Sequence, residues 1–399
     1  MKFGTALRGG LAALFAFAVL WAAPARADDF YDIHVIASLT GGGAFLGMEE
    51  HDALLLVEKS VNKTGGIHGK KLRYVFHDDQ SSPQVAVQLL NDVVALHPAV
   101  FMGSSLVATC NAMFPLVQDK GPVMYCFSAG IHPPAGSYVF VAGVSTHDQA
   151  IGLVRYFRLR NWTKLGIITS TDATGQDADK GFDELLAMPE NKGVSVAAHE
   201  HFNTNDVSIS AQIENVKAAN PQVFIGWSTG APSASIFRGA VQGGLTMPMG
   251  TTGGNMTYAQ MHRFADFLPK EFYLPTAEWP VNGDPRVKLD PKVAAKQREL
   301  YAAYKEAGSK PDEGSLLGWD PAIIVVDALR TLPPGASAAQ LHDYLVHLKG
   351  VAGADGIYDY DATPQRGLSL DDVVVTRWNP AADKWDVVTQ PGSSTLIGR

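Results

Sequence analysis

From Ile33 to about Ile225, short apolar runs rich in β-branched residues alternate with helical periods, and nothing else restricts the fold so strongly. IHVIASL (33–39), LRYVFHD (72–78), AVFMG (99–103) and VMYCF (123–127) are continuous runs rather than in–out alternations. Parallel strands covered on both faces have this character. Between them the periodicity predicts helices over Met48 to Asn62, Pro83 to Leu96 and Ala108 to Lys120, each bounded by Gly, Pro or Asn. A second series follows Ser145, with strands at 164–170, 194–200 and 222–227. Its helices are expected over 148–160, Asp177 to Met188, Val207 to Ala219 and Pro232 to Gly243. Strand–helix repetition of this kind gives an α/β protein with two doubly wound, Rossmann-like lobes.

The last third is mainly helical, with periods over Pro291 to Ala307, Ser315 to Leu332 and Ala338 to Leu348 expected to return to the first lobe. Strand character resumes in DDVVVTRW and KWDVV. The chain should therefore cross between lobes near 145, 275 and 355, a three-segment hinge. The expected division is 28–145 plus 275–355 for one lobe and 146–274 plus 356–399 for the other.

The first 27 residues read as a cleavable secretory signal. Lys2 and Arg8 precede a short apolar run from Leu11 to Ala23, and Ala25-Arg26-Ala27 provides small residues for cleavage. The run is too short to span a bilayer, which takes about 20 apolar residues, and it contains no Cys to carry a lipid. The expected compartment is a bacterial periplasm. Loss of Lys2, Arg8 and Arg26 would take the formal charge of -8 three units lower. So acidic a chain is unsuited to nucleic acid, whose phosphates need an excess of Lys and Arg. Cys110 and Cys126 are the only cysteines. One should begin a helix and the other end the next strand, at the same edge of a sheet, so a disulfide is expected in an oxidising compartment, with two buried thiols as the alternative.

Several segments in order, IHVIASLTGGGAFLG, NKTGGIHGKKLRYVFHDDQSSPQVAVQ, FMGSS and KGPVMYCFSAG, resemble the periplasmic binding proteins for branched-chain amino acids and related solutes. The likeness spans nearly the whole chain after the signal. It is most specific in GGIHGKKL, the strand ending at Asp78-Asp79, and the Pro-started helix that follows. It implies a type I periplasmic binding fold that closes around one small solute, delivers it to the permease subunits of an ABC importer, and needs no cofactor. By the same resemblance, Ser104, Ser105, Val107, Ala108, Ser128, Ala129 and Gly130 lie nearest a solute carboxylate. Loops beyond the carboxyl ends of parallel strands are ligand sites on general grounds as well.

The second lobe offers Thr174, Thr229 and Thr252. In amino-acid binders of this family an acidic residue occupies the position matching Thr252 and pairs with the solute ammonium. Tyrosines expected near Leu46 and Thr174 are also missing here. These departures imply a carboxylate without an amine. Phe45, Trp227, Trp279 and Trp319 would give an aromatic or other apolar acid a surface to stack on. The alternatives are a branched-chain amino-acid receptor or ligand sensor and, in another class, a secreted serine hydrolase. The last rests on Gly226-Trp227-Ser228-Thr229-Gly230, which matches a nucleophile elbow, with Asp320 and His342 or His347 downstream. His199 and His201 share one face of a strand without an evident third ligand, so no metal site is assigned. His51, His68 and the turn His77-Asp78-Asp79 read as ordinary polar positions.

Overall fold

The computed structural model describes residues 30–398, so the signal reading over 1–27 lies outside the described residues. In the first lobe β1 (Phe30–Ala37), β2 (Lys71–Asp78), β3 (Val100–Met102), β4 (Val123–Cys126) and β5 (Val139–Val141) form a parallel sheet in the order β2-β1-β3-β4-β5. The helices α1 (Ala44–Lys63), α2 (Pro83–Ala95) and α3 (Val107–Val117) cross between these strands. All residues of β3, β4 and β5 are buried, which is why their sequences run apolar without alternation.

The chain then passes through α4 (Thr146–Leu159) into β6 (Lys164–Ser170), α5 (Ala173–Ala187), β7 (Ser195–Phe202), α6 (Ser210–Ala218), β8 (Val223–Trp227) and α7 (Ser233–Gln242). After β9 (Met249–Gly250), α8 (Tyr258–Arg263) and β10 (Phe272–Thr276) come the three long helices α9 (Pro291–Ala307), α10 (Glu313–Thr331) and α11 (Ala338–Val346). A hairpin of β11 (Lys349–Ala352) and β12 (Ile357–Asp359) precedes β13 (Val374–Asn379) and β14 (Lys384–Val387), which close the second sheet. That sheet has the order β14-β13-β10-β9-β8-β6-β7, parallel up to β10 and antiparallel beyond it. Helix α10 returns to pack on α1: a Cβ added at Gly318 would lie 3.0 Å from the Glu50 carbonyl oxygen. No described helix is long and apolar enough to cross a membrane.

Helices α1 and α5 begin a full turn earlier than the periodicity predicts, for the same reason in each lobe. Helix α1 starts at Ala44 rather than Met48, and α5 starts at Ala173 rather than Asp177. Gly47 and Gly175, which read as loop residues, sit in the first turn of each helix. A Cβ at Gly47 would lie 2.1 Å from the Ser38 carbonyl oxygen, and one at Gly175 would lie 1.6 Å from that of Ser170. Only glycine lets the helix start come so close to the strand end. β5, β9, β10, β11 and β12 are not predicted, because they are short and Pro275, inside β10, breaks the strand pattern.

Gly175→Ala should lower stability by about 1–3 kcal/mol through overpacking. Gly193→Ala, where a Cβ meets nothing within 4 Å, should stay within about 0.5 kcal/mol of the parent. Urea unfolding of the two variants side by side checks this, and equal midpoints would show that the approach at Gly175 is not a constraint.

Candidate functional site

The amino-terminal ends of five helices meet where the two lobes face each other. Leu46 of α1, Val107 of α3, Thr146 and Gln149 of α4, Thr174 of α5 and Glu313 of α10 line one cavity with Leu317, one turn further along α10. Loops complete the wall with Ser105, Leu106, Ser128, Ala129, Gly130, Thr229, Thr252 and Gly254. Each helix start brings partial positive charge from its oriented backbone N–H groups, so the cavity favours an anionic group although no Lys, Arg or His lines it. The lobes touch around it. The Ala231 N–H donates to the Gly42 carbonyl at 3.0 Å, and the Phe45 ring meets that of Phe264 edge-on at 5.6 Å.

Of the residues singled out from sequence, the structure brings together Leu46, Ser105, Val107, Ser128, Ala129, Gly130, Thr174, Thr229 and Thr252. It takes Phe45, Ser104, Ala108, Trp227, Trp279 and Trp319 elsewhere. Ser104 is fully buried and turned away, donating to Asp79 Oδ2 and accepting from Thr109 Oγ1. Ala108 lies in the first turn of α3, beside Val107 but outside the wall. Trp227 ends a strand buried along its whole length and packs against Phe182 of α5. Trp319, further along α10, packs against Tyr304. Trp279 stands behind the wall, where its indole N–H donates to Thr276 Oγ1 and Glu313 Oε2. No aromatic ring therefore remains in the wall.

Thr146, Gln149 and Glu313 are the wall's polar side chains that sequence reading missed. Gln149 Oε1 accepts from Thr252 Oγ1 at 3.1 Å and from the Gly253 N–H at 3.0 Å, which fixes the Thr252 loop against α4. Glu313 follows the N-cap Asp312, whose capping box with Ser315 was a readable signal for a helix start there. Glu313 Oε2 takes hydrogen bonds from Thr276 Oγ1 (2.5 Å) and Trp279 Nε1 (3.0 Å). No protein donor among the described residues reaches Oε1. Burial pushes the carboxyl above its usual range, against the pull of these two donors. The absence of an acid at Thr252 thus does not leave the cavity without one.

Behind the wall, Ser105 Oγ donates to Glu50 Oε2 at 2.5 Å and accepts from the Ser38 N–H at 3.2 Å. Glu50 is fully buried, and burial pushes it up to about 8. Cys110 and Cys126 are bonded and tie the first turn of α3 to the end of β4, with their Cα atoms 6.3 Å apart. Arg366 is buried, with no carboxylate within ion-pair distance among the described residues. Its guanidinium donates to the backbone carbonyls of Ala129 (3.1 Å), Ile131 (2.7 Å) and Gly143 (3.1 Å), and burial lowers its pKa to about 10.

The elements of a nucleophile elbow do not assemble. Ser228 Oγ is buried without a partner among the described residues, and Asp320 is engaged by the backbone N–H groups of Ala354 and Asp355 and by the Tyr358 hydroxyl. His342 bonds the Gly136 carbonyl and His347 that of Asp343, so neither imidazole serves Ser228. His68 bonds the Leu329 carbonyl, His51 pairs with Asp52 and His77 with His34. Asp78 Oδ1 ties down the Leu39, Thr40 and Gln80 N–H groups. His199 and His201, which lacked a third ligand in sequence, meet Asp179 of α5 at 3.0 and 2.9 Å.

The family model described as periplasmic binding protein matches residues 31–383. "Leu/Ile/Val-binding protein homolog 3" of Brucella melitensis is 26% identical over 214 residues, 52% of this chain and 56% of that protein. The chain thus spans about half the length of the curated relative it matches. An extracellular ligand-binding receptor from Rhodopseudomonas palustris HaA2 superposes with a TM-score of 0.77 at 18% identity, over 89% of this chain and 99% of the other. The branched-chain amino acid transporter substrate binding protein of Streptococcus pneumoniae, solved with isoleucine, gives 0.74 at 17% identity, over 90% and 99%. A leucine binding protein from Thermotoga maritima gives 0.73 at 17%, over 89% and 97%. At these identities the solved structures establish the fold alone.

Two measurements check this site. A fluorophosphonate probe should leave the native protein unlabelled, and labelling that disappears in Ser228→Ala would reinstate the hydrolase. Glu50 holds its proton to about 8 when folded and to about 4.5 when unfolded. Its contribution to stability is complete below 4.5 and is lost as pH rises through 8. Unfolding free energies at pH 5 and pH 8 should therefore fall more steeply in the parent than in Glu50→Gln, and parallel declines would place the loss elsewhere.

Proposed function

The chain belongs to the periplasmic binding protein family, and on that premise we propose that it is the solute-receiving component of an ABC-type importer, working in the periplasm. It would close its lobes on a small aliphatic amino acid or close analogue and hand it to permease subunits, with no chemistry of its own. The lobe division expected from sequence, 28–145 plus 275–355 against 146–274 plus 356–399, is kept as part of this reading, with the shift that β10 (Phe272–Thr276) pairs within the second sheet.

The observation that carries the reading is Glu313 in a wall otherwise made of neutral donors, hydroxyls and aliphatic side chains. A solute carboxylate suits the helix starts and the loops at Ser105, Ser128 and Gly130, where oriented N–H dipoles stabilise an anion without a cation. An ammonium suits the Oε1 of Glu313, and a branched aliphatic body suits Leu46, Leu106, Val107 and Leu317. The amine-free acid expected from sequence rested on Thr252, and its aromatic character rested on Phe45, Trp227, Trp279 and Trp319, whose rings lie outside the wall. Closure follows because the bound solute contacts both lobes at once and so favours the state in which they meet.

Calorimetry of leucine against 4-methylpentanoate isolates the amine, because the apolar body is the same. Leucine should bind at least about tenfold tighter. Glu313→Gln should remove most of that difference, since a hydrogen bond to a charged group contributes about 1.5–3 kcal/mol, which is about 10- to 150-fold in affinity. Equal affinity of the two compounds for the parent protein would return the reading to an amine-free acid.

A further inference from the structure

At the rim of the cavity three side chains from both lobes converge. His132 comes from the loop after β4 in the first lobe, while His147 of α4 and Asp177 of α5 belong to the second. His132 Nε2 lies 2.8 Å and His147 Nε2 lies 3.2 Å from the same oxygen, Asp177 Oδ1. The two imidazole rings are 4.3 Å apart at their centroids, and the three donor atoms all lie within 4.8 Å of one another. The other oxygen, Oδ2, takes the Thr146 hydroxyl.

His147 supplies the second observation. Its Nδ1 faces Glu184 Oε2 at 2.8 Å, while its Nε2 faces both the carbonyl and the Oδ1 of Asp177 at 3.2 Å. With acceptors at both nitrogens the ring is satisfied in two ways, as an imidazolium that donates at both, or as a neutral ring that donates Nδ1–H to Glu184 while a metal cation takes the place of the proton at Nε2. A histidine that donates Nδ1–H to a carboxylate and directs Nε2 into a His/Asp cluster has the arrangement of a metal ligand with its outer-shell support. Gly181 makes room for the ring, because a Cβ there would lie 2.8 Å from His147 Cδ2.

We propose that His132 Nε2, His147 Nε2 and Asp177 Oδ1 bind a divalent transition cation of the zinc class that latches the two lobes in their closed arrangement. Two imidazoles and one carboxylate suit zinc, with a water as fourth ligand. Bond lengths of about 2.0–2.2 Å place tetrahedral donors roughly 3.3–3.6 Å apart, so the two histidine–aspartate separations of 2.8 and 3.2 Å need to open by only a few tenths of an ångström. Because the ligands are divided between lobes, the complete site exists only when the lobes meet. By reciprocity, the metal would raise solute affinity by the factor with which solute raises metal affinity.

The test uses Zn²⁺ alone, so it does not depend on the identity of the solute. The surface group Asp179, His199 and His201 also presents one carboxylate and two imidazoles, so the measurement is made in a His199→Ala, His201→Ala background. Equilibrium dialysis should find one Zn²⁺ per chain, bound at least about tenfold more weakly after His132→Ala and after Glu184→Gln. Small-angle X-ray scattering should show Zn²⁺ reducing the radius of gyration of the parent and leaving that of His132→Ala unchanged. Unaltered zinc affinity in His132→Ala, or no zinc bound in the background protein at 100 μM, would overturn the latch. A leucine titration that failed while zinc still compacted the protein would count against the solute reading alone.

Discussion

The site is made from the ends of backbone segments, and this depends on how closely the first helix of each lobe meets the end of its first strand. Gly47 against Ser38 and Gly175 against Ser170 are the same contact in the two lobes. With any side chain there, α1 and α5 would be displaced outward, and Leu46 and Thr174, each next to its glycine, would withdraw from the cavity. In the proposed reading a solute carboxylate is held by peptide dipoles in fixed positions, so packing a few ångströms behind the wall bears on what the wall can bind.

The strand and helix order was legible because apolar runs and helical periods are properties of neighbouring residues. The strand at 164–170 and the helix from Pro291 to Ala307 have the bounds that the pattern predicts. What was misread is instructive. The stretches GGGAFLG and DATGQ look like loops when glycine is taken as a turn signal, whereas Gly47 and Gly175 are helical and small because something distant is close. Ser105, Ser128, Gly130, Thr174, Thr229 and Thr252 of the wall were recovered from loops at strand ends together with the family resemblance, whereas Thr146 was missed. Glu313 was missed as well, because its place in the cavity depends on α10 returning from nearly two hundred residues away. The tryptophans failed for the opposite reason, since a large ring near a cleft loop in sequence is free to turn into the nearest core, as Trp227 does against Phe182.

The distribution of charge fits the receptor proposed above. Glu50, Asp312 and Glu313 are buried around or behind the cavity, and burial pushes each above its usual range. An enzyme uses such groups beside a nucleophile or a substrate bond. Here Glu50 secures Ser105, Asp312 caps α10, and Glu313 presents an oxygen to the cavity. They serve shape and charge balance.

Arg366 has a further consequence. The carbonyl of Ala129 that receives its guanidinium belongs to the same peptide unit as the Gly130 N–H, and the Ile131 carbonyl is likewise conjugated with the next N–H along the loop. Hydrogen bonding of a cation to the oxygen of an amide draws electron density from its nitrogen and makes the N–H a stronger donor. An anion seated at Gly130 would thus sense a guanidinium that it never touches, transmitted through one peptide bond. Burial among backbone carbonyls keeps the positive charge out of reach of such an anion itself, and the amide passes its influence on.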